Sequence, residues 1–297
     1  MGGEQGGGPV SAAGLRALPV TAPPAVFTRL PVTGVRAQLR AVVVVWHRDL
    51  LRLLAEPVRV ATALLQPLLF LFALGGGLGS LTRSAYGVPY QTFVYAGALA
   101  MPVVFASIGA ASSIVWDREF GFLREMLVAP VSRTAVVAGK CLGGMTTGLF
   151  QGTLVLALAG AVGVPYEPRL MLTLLVYMAL LAFAFSCFGV LVAARMRSVQ
   201  SFMALTQMIV QPLFFLSGAL FPLSRLPGWL AVATRFDPLT YAVDPIRRAV
   251  LDTVGATTAA PGVTWGSFLV PVWLELLLVL ASGSCMLWAA SRAFRRG

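Results

Sequence analysis

Trp116–Pro130 reads W-D-R-E-F-G-F-L-R-E-M-L-V-A-P, a charged patch set between two long apolar runs. Asp117, Arg118, Glu119, Arg124 and Glu125 fall within nine residues of a chain in which only 11% of residues are charged. Wound at about 3.6 residues per turn, the stretch separates two faces. Phe120, Leu123, Met126 and Leu127 fall on one side; Asp117, Arg118, Gly121, Arg124 and Glu125 fall on the other, with Glu119 the exception. Pro130 then stops the helix. A short amphipathic helix joining two membrane spans fits this pattern. It reads equally as a helix lying on lipid headgroups and as a docking helix for a soluble partner.

The flanking runs set the class. The chain is 58% hydrophobic with a mean hydropathy of +0.85, above the about 45–50% apolar content of soluble domains. Several runs reach the roughly 20 residues that a helix needs to cross the hydrocarbon core. The expected class is an all-α integral membrane protein whose interior is a helix bundle. The net charge of +11 resembles a nucleic-acid signal. Its cations lie beside apolar runs, however, where they serve topology and anionic headgroups, so no nucleic-acid partner is expected. Cys141, Cys187 and Cys285 sit in apolar runs with no disulfide framework or metal spacing, and read as packing residues. His47 is alone, which argues against a metal role.

In chain order, residues 1–34 are rich in Gly, Ala and Pro and read as a disordered cytoplasmic tail without a removable signal peptide. Residues 35–58 read as an interfacial connecting helix, with Arg36, Arg40, Arg48 and Arg52 forming a basic stripe beside Trp46. The remainder, 59–297, holds six expected spans at about 60–82, 92–115, 136–163, 170–193, 201–221 and 267–290. The first ends in a loop-like Gly75-Gly76-Gly77, and Pro102 breaks the second. Gly144, Gly148 and Gly152 form a small-residue stripe on the third, for packing inside the bundle or for a dimer seam. Between the last two spans, pieces at 227–235 and 238–251 are too short to cross and read as re-entrant or interfacial helices. Asp237 and Asp244 precede Pro238 and Pro245 as helix caps. With the N-terminus inside, sixteen of the 22 basic residues fall in cytoplasmic segments, which favours both ends inside.

Catalytic motifs are absent from the sequence. Gly139-Lys140 lacks the upstream Gly and the following Ser or Thr of a phosphate-binding loop, and Lys140 reads as a snorkelling residue. There is no G-x-S-x-G and no H-E-x-x-H, so the chain is not expected to be an enzyme. Glu275 is the intramembrane carboxylate, either a functional group or a residue that sits at the interface or pairs with an external arginine. Gln66, Gln207 and Gln211, with Phe105, Phe202 and Met208, suit a pathway for a large amphipathic molecule; each could equally be helix glue.

The opening patch, continuing V-S-R and then A-G-K-C-L-G-G at 138–144, resembles the permeases of ABC-2 type exporters, the daunorubicin-resistance group above all. Glu56–Val60 (E-P-V-R-V), Phe215–Leu230 and D-P-L-T-Y-A-V-D-P-I-R-R at Asp237–Arg248 carry the resemblance further, over about residues 35–295. It implies six transmembrane helices with an N-terminal amphipathic connecting helix, a cytoplasmic coupling helix at 117–130 and external re-entrant helices at 222–251. It implies a separate cytoplasmic ATPase, in two copies, that binds ATP and Mg, while this chain holds no cofactor. It implies a second permease chain, identical or not. Asp117, Arg118, Glu119, Phe120, Phe122, Leu123, Arg124, Glu125 and Leu127 would then couple to the ATPase. The substrate would be a hydrophobic drug, antibiotic or lipid moved out across the cell membrane. A lipid-linked glycan exporter of the same fold, an ATPase-independent channel or carrier, and a membrane scaffold are the competing readings.

Overall fold

The computed structural model describes residues 34–79, 88–120, 132–223, 226–255, 262–265 and 268–296. The expected tail at 1–33 lies outside them. Helix α1 spans Val35–Ala55, where the connecting helix was expected, and turns Val45, Asp49 and Leu53 inward at a spacing of four. Pro57 opens α2 (Pro57–Leu69) at the first helical position, where a missing N–H costs nothing. The chain continues through a wide π turn at Phe70–Leu74 into α3 (Gly75–Gly79). The three glycines are therefore helical and not a loop. Gly75 permits close approach, since a Cβ there would lie 2.9 Å from Gln91 Cγ of the next helix.

Helix α4 (Tyr90–Ala110) runs straight through Pro102 and breaks instead at Ala111, before α5 (Ser112–Glu119). A proline inside a span is tolerated where neighbouring helices hold the geometry. Gly189, in a later helix, brings its backbone against Ile108 and Ala111 at that break. Ser132 caps α6 (Arg133–Leu156) by accepting from the Ala135 N–H at 3.3 Å. α7 covers Pro168–Ala193 and α8 covers Val199–Leu216. Two short helices follow, α9 (Gly228–Phe236) and α10 (Thr240–Thr253), where two short apolar pieces were read. α10 does not restart at Pro245 as the cap reading expects. It passes through Pro245, because the Asp244 carboxylate serves arginines and the Val263 N–H instead of a helix start. Antiparallel strands β1 (Thr264–Trp265) and β2 (Phe268–Leu269) lead into α11 (Val272–Arg296).

The core is α4, α6 and α7, with α10 and α11 closing it. Among the described residues, five helical segments are long and apolar enough to cross a membrane: Pro57–Gly77, Tyr90–Glu119, Pro168–Ala193, Val199–Leu216 and Val272–Phe294. α6, the expected third span, is long but not among them. Lys140, Gln151 and its glycines dilute its apolar content. Those glycines are its packing device. A Cβ on Gly144 would strike Ser186 Oγ of α7, one on Gly148 would strike Ser107 Oγ of α4, and one on Gly152 would lie 2.5 Å from Val103 Cγ2. The stripe faces helices of its own chain. The central segment Tyr90–Glu119 is 67% buried, whereas Pro57–Gly77 and Val272–Phe294 are each 17% buried, which leaves the latter two on the flanks.

Candidate functional site

At the α5 end of the bundle, charges that the sequence scatters over some ninety positions meet. Gly139 and Gly143 let α1 settle on α6: a Cβ there would lie 2.8 Å from Val45 Cβ and from Asp49 Oδ2, respectively. That contact places Asp49 beside Lys140. The Lys140 ammonium donates to Asp49 Oδ1 at 2.9 Å and to Ser113 Oγ at 2.7 Å, with Lys140 only 3% exposed. Lys140 is thus a buried ion-pair partner and does not snorkel. Arg48 donates to Asp117 Oδ2 at 3.3 Å, and Trp46 Nε1 donates to Thr146 Oγ1 at 2.8 Å, so α1 is held to α5 and α6. A cavity of about 370 Å³ opens beside this junction, lined by Asp49, Arg52, Glu56, Ser113, Trp116 and Asp117 among others.

The first half of the charged patch turns toward its own chain. Arg118 donates to the carbonyls of Ala194 at 2.9 Å and Met196 at 2.8 Å, just past the end of α7. Glu119 Oε2 accepts from the Val199 N–H at 2.9 Å, the first residue of α8. Phe120 stacks on Trp116 with ring centroids 4.6 Å apart, and both rings are exposed. Phe122, Leu123, Arg124, Glu125 and Leu127 lie outside the described residues.

The pathway candidates do not converge within one chain. Gln66 on α2 and Gln207 and Met208 on α8 are exposed, with Gln211 half-buried. Phe70 meets Phe214 edge-on at 6.1 Å, so Gln66 and Gln211 each stand one turn from a shared contact. Phe202 is fully buried and Phe105 half-buried against the core, as packing residues would be.

Glu275 lies elsewhere, at the hairpin end, and is fully buried. Arg248 donates to it at 3.1 Å and forms an ion pair with Asp244 at 2.6 Å, while Arg247 pairs with Asp244 at 3.4 Å. The same arginines reach the carbonyls of Val270 and Gly218, each at 3.0 Å, and Arg247 stands 5.3 Å from the Phe93 ring centroid. Of the two readings of Glu275, the structure contains the pairing with an arginine of the segment before the last span. This knot ties α10, the hairpin, α11 and the turn after α8 together. Gly262 is part of it, since any Cβ there would overlap the Arg248 guanidinium. Glu275→Gln keeps an acceptor for Arg248 but removes the charge. It is expected to cost about 1 kcal/mol, the difference between charged and neutral hydrogen bonds. Thermal unfolding of the purified chain in detergent measures it; no change in Tm would mean that the charge contributes nothing.

Sequence reading missed Asp49 and the role of Lys140. A signal was present: Lys140 is the chain's single lysine, and Asp49 shares the inward face of α1 with Val45 and Leu53.

Residues 40–251 match the ABC-2 type transporter family, more than two thirds of the chain. The chain is 28% identical over 204 residues to the putative transport permease ycf38 of Cyanophora paradoxa, covering 67% of this chain and 70% of that protein. It is 32% identical over 190 residues to nodulation protein J of Rhizobium leguminosarum bv. trifolii, covering 63% and 72%. It is 26% identical over 184 residues to the inner membrane transport permease YadH of Escherichia coli K12, covering 62% and 72%. With its apolar helices, this makes it a multi-pass membrane protein whose relatives include transport permeases. The chain belongs to the ABC-2 type transporter family.

Proposed function

We propose that this chain is the membrane permease of an ATP-binding cassette exporter, driven by a separate cytoplasmic ATPase that holds ATP and Mg. The observation that carries the reading is the α5 end. Asp117, Arg118 and Glu119 attach to α1, to the end of α7 and to the start of α8, so the amphipathic stretch that follows is mechanically tied to the spans. A load applied to 121–130 then reaches the membrane helices. In this reading 121–130 docks in the ATPase, with Phe122, Leu123 and Leu127 packing there and Arg124 and Glu125 making polar contacts.

The rest of the topology follows from that choice. α6 is the sixth crossing, both termini are cytoplasmic, and α9 and α10 form the external re-entrant pair. Two permeases work with two ATPases. Gln66 and Gln207 are exposed on the isolated chain, and an amide left in hydrocarbon is costly. A second permease covers them and completes an amphipathic pathway between the two copies. The substrate is a small amphiphile of the kind handled by the daunorubicin-resistance group. A lipid-linked glycan is the second reading within the same fold.

The test is charge reversal at the docking stretch. Arg124→Glu should lower the yield of co-purified ATPase about tenfold, equivalent to about 1.4 kcal/mol, while the spans remain folded. Full transport of a fluorescent amphiphile by the chain alone in ATP-free liposomes would sink the exporter reading.

A further inference from the structure

We infer that Arg118 and Glu119 are positioning residues that carry the motor's movement to the turn between α7 and α8, and so to α8, and are not contacts for the ATPase. This rests on the exporter reading above. Both side chains are already committed inside the chain. Arg118 supplies a cation to two carbonyls at the C-terminal end of α7, where a helix leaves its last acceptors unpaired and its dipole is negative. Glu119 supplies an anion to the Val199 N–H, where α8 leaves its first donors unpaired and its dipole is positive. Ser198 caps the same end by accepting from the Ser201 N–H at 3.2 Å. Two neighbouring residues of α5 therefore grip both sides of one short turn, 194–199. Charge-assisted bonds of this kind are the directional ones.

The wider packing shows what the grip can move. Among the described residues, α8 touches α5 more extensively than it touches any other helix. Only 22% of its span is buried, through residues such as Phe202, Val210 and Phe214. A helix held at its ends, by α5 at one and by Arg247 on the Gly218 carbonyl just past the other, and loosely along its length can pivot without breaking the core of α4, α6 and α7. Asp117 meanwhile goes to Arg48 of α1, so three consecutive residues reach three different elements. α8 also carries Gln207 and Met208 on its exposed face. Displacing α5 therefore re-aims the surface offered to a second copy.

The experiment uses the permease with the ATPase that co-purifies with it, reconstituted together. A nitroxide on Met208→Cys, in a Cys285→Ser background, reports the distance between the two copies of α8, nucleotide-free and with ATP trapped by vanadate. The wild-type complex should show a nucleotide-dependent shift. Arg118→Ala and Glu119→Ala should each lose at least half of it while binding the ATPase within about twofold of wild type. Arg118→Lys and Glu119→Gln, which keep a donor and an acceptor, should recover part of the shift; a merely structural role predicts no such split between motion and binding. A full shift in both alanine variants overturns the inference. So does a tenfold loss of ATPase binding in Glu119→Ala, whose exposed side chain can be removed without disturbing the fold. A wild-type chain that captures no ATPase overturns the exporter reading itself, and this inference with it.

Discussion

Gly148→Leu leaves no folded chain to purify. The Cα of Gly148 lies so close to α4 that a single added carbon would overlap Ser107 Oγ and approach the Val103 carbonyl oxygen to 2.7 Å. An isobutyl group has nowhere to go, because Val103 and Ser107 are both fully buried. Overpacking a dense core usually costs about 1–3 kcal/mol and occasionally more. Here the neighbour includes backbone, which cannot rotate away, so the cost exceeds that range. The milder Gly148→Ala should cost within about 1–3 kcal/mol, and adding Ser107→Gly should return part of it, the part due to the hydroxyl, while the Val103 carbonyl contact remains. Folded yield by size-exclusion chromatography in detergent, with Tm for the milder variants, reads the series. The competing role for the stripe is a seam between two copies. A Gly148→Leu chain that folds normally but no longer associates would establish that role in place of packing.

Lys140→Met should destabilise the chain by about 3–5 kcal/mol, the usual cost of stranding one member of a buried ion pair. The member stranded is Asp49, 8% exposed, whose other cationic neighbour among the described residues is Arg48 at 4.0 Å. Ser113 also loses the Lys140 donor at 2.7 Å. Replacing both partners, Asp49→Leu with Lys140→Met, should recover most of the loss, since apolar side chains of similar volume often substitute for a buried pair at little cost. The double-mutant cycle is therefore strongly non-additive, with a coupling of at least about 3 kcal/mol, the upper end of the measured range. Additive losses would show that Lys140 and Asp49 do not sense one another and that the junction of α1 with α6 is held by apolar packing alone. Urea or thermal unfolding followed by tryptophan fluorescence suits the measurement, because Trp46 and Trp116 flank the junction.

These two cases mark the boundary of what the amino-acid order discloses. Apolar runs long enough to span a bilayer are legible because length and composition are local properties; four of the five segments able to cross stand within a few residues of the expected places, and the first begins slightly earlier, at Pro57. The two short helices α9 and α10 are legible for the same reason. Local rules misled where a neighbour overrides them. Gly75–Gly77 reads as a loop, yet Gln91 packs against it as a helix. Pro102 and Pro245 read as breaks, yet both helices continue through them inside packed surroundings. The β1–β2 hairpin was invisible, since strands of two residues carry no periodicity. The pairing of Asp49 with Lys140 spans 91 positions and depends on two glycines that allow α1 to close on α6. Arg118 and Glu119 were legible as charged, but not as bonded to their own chain. Their partners are backbone atoms at helix ends, and backbone carbonyls and N–H groups leave no mark in a sequence.

α6 also bears on how the protein is made. It has the length of a span but not the oiliness to enter lipid on its own, with a lysine, a glutamine and a row of glycines along it. Its polar side chains meet Trp46, Asp49 and Ser113, and its glycines meet Ser107 and Val103. All of these are synthesised before α6 leaves the ribosome. The earlier helices therefore offer α6 a ready-made polar seat. α7 follows and closes the seat with Ser186, whose hydroxyl bonds the Cys141 carbonyl at 2.8 Å. Order of translation is thereby part of the fold: a circular permutant that places α6 ahead of α1 and α4 would ask the membrane to accept a bare lysine first.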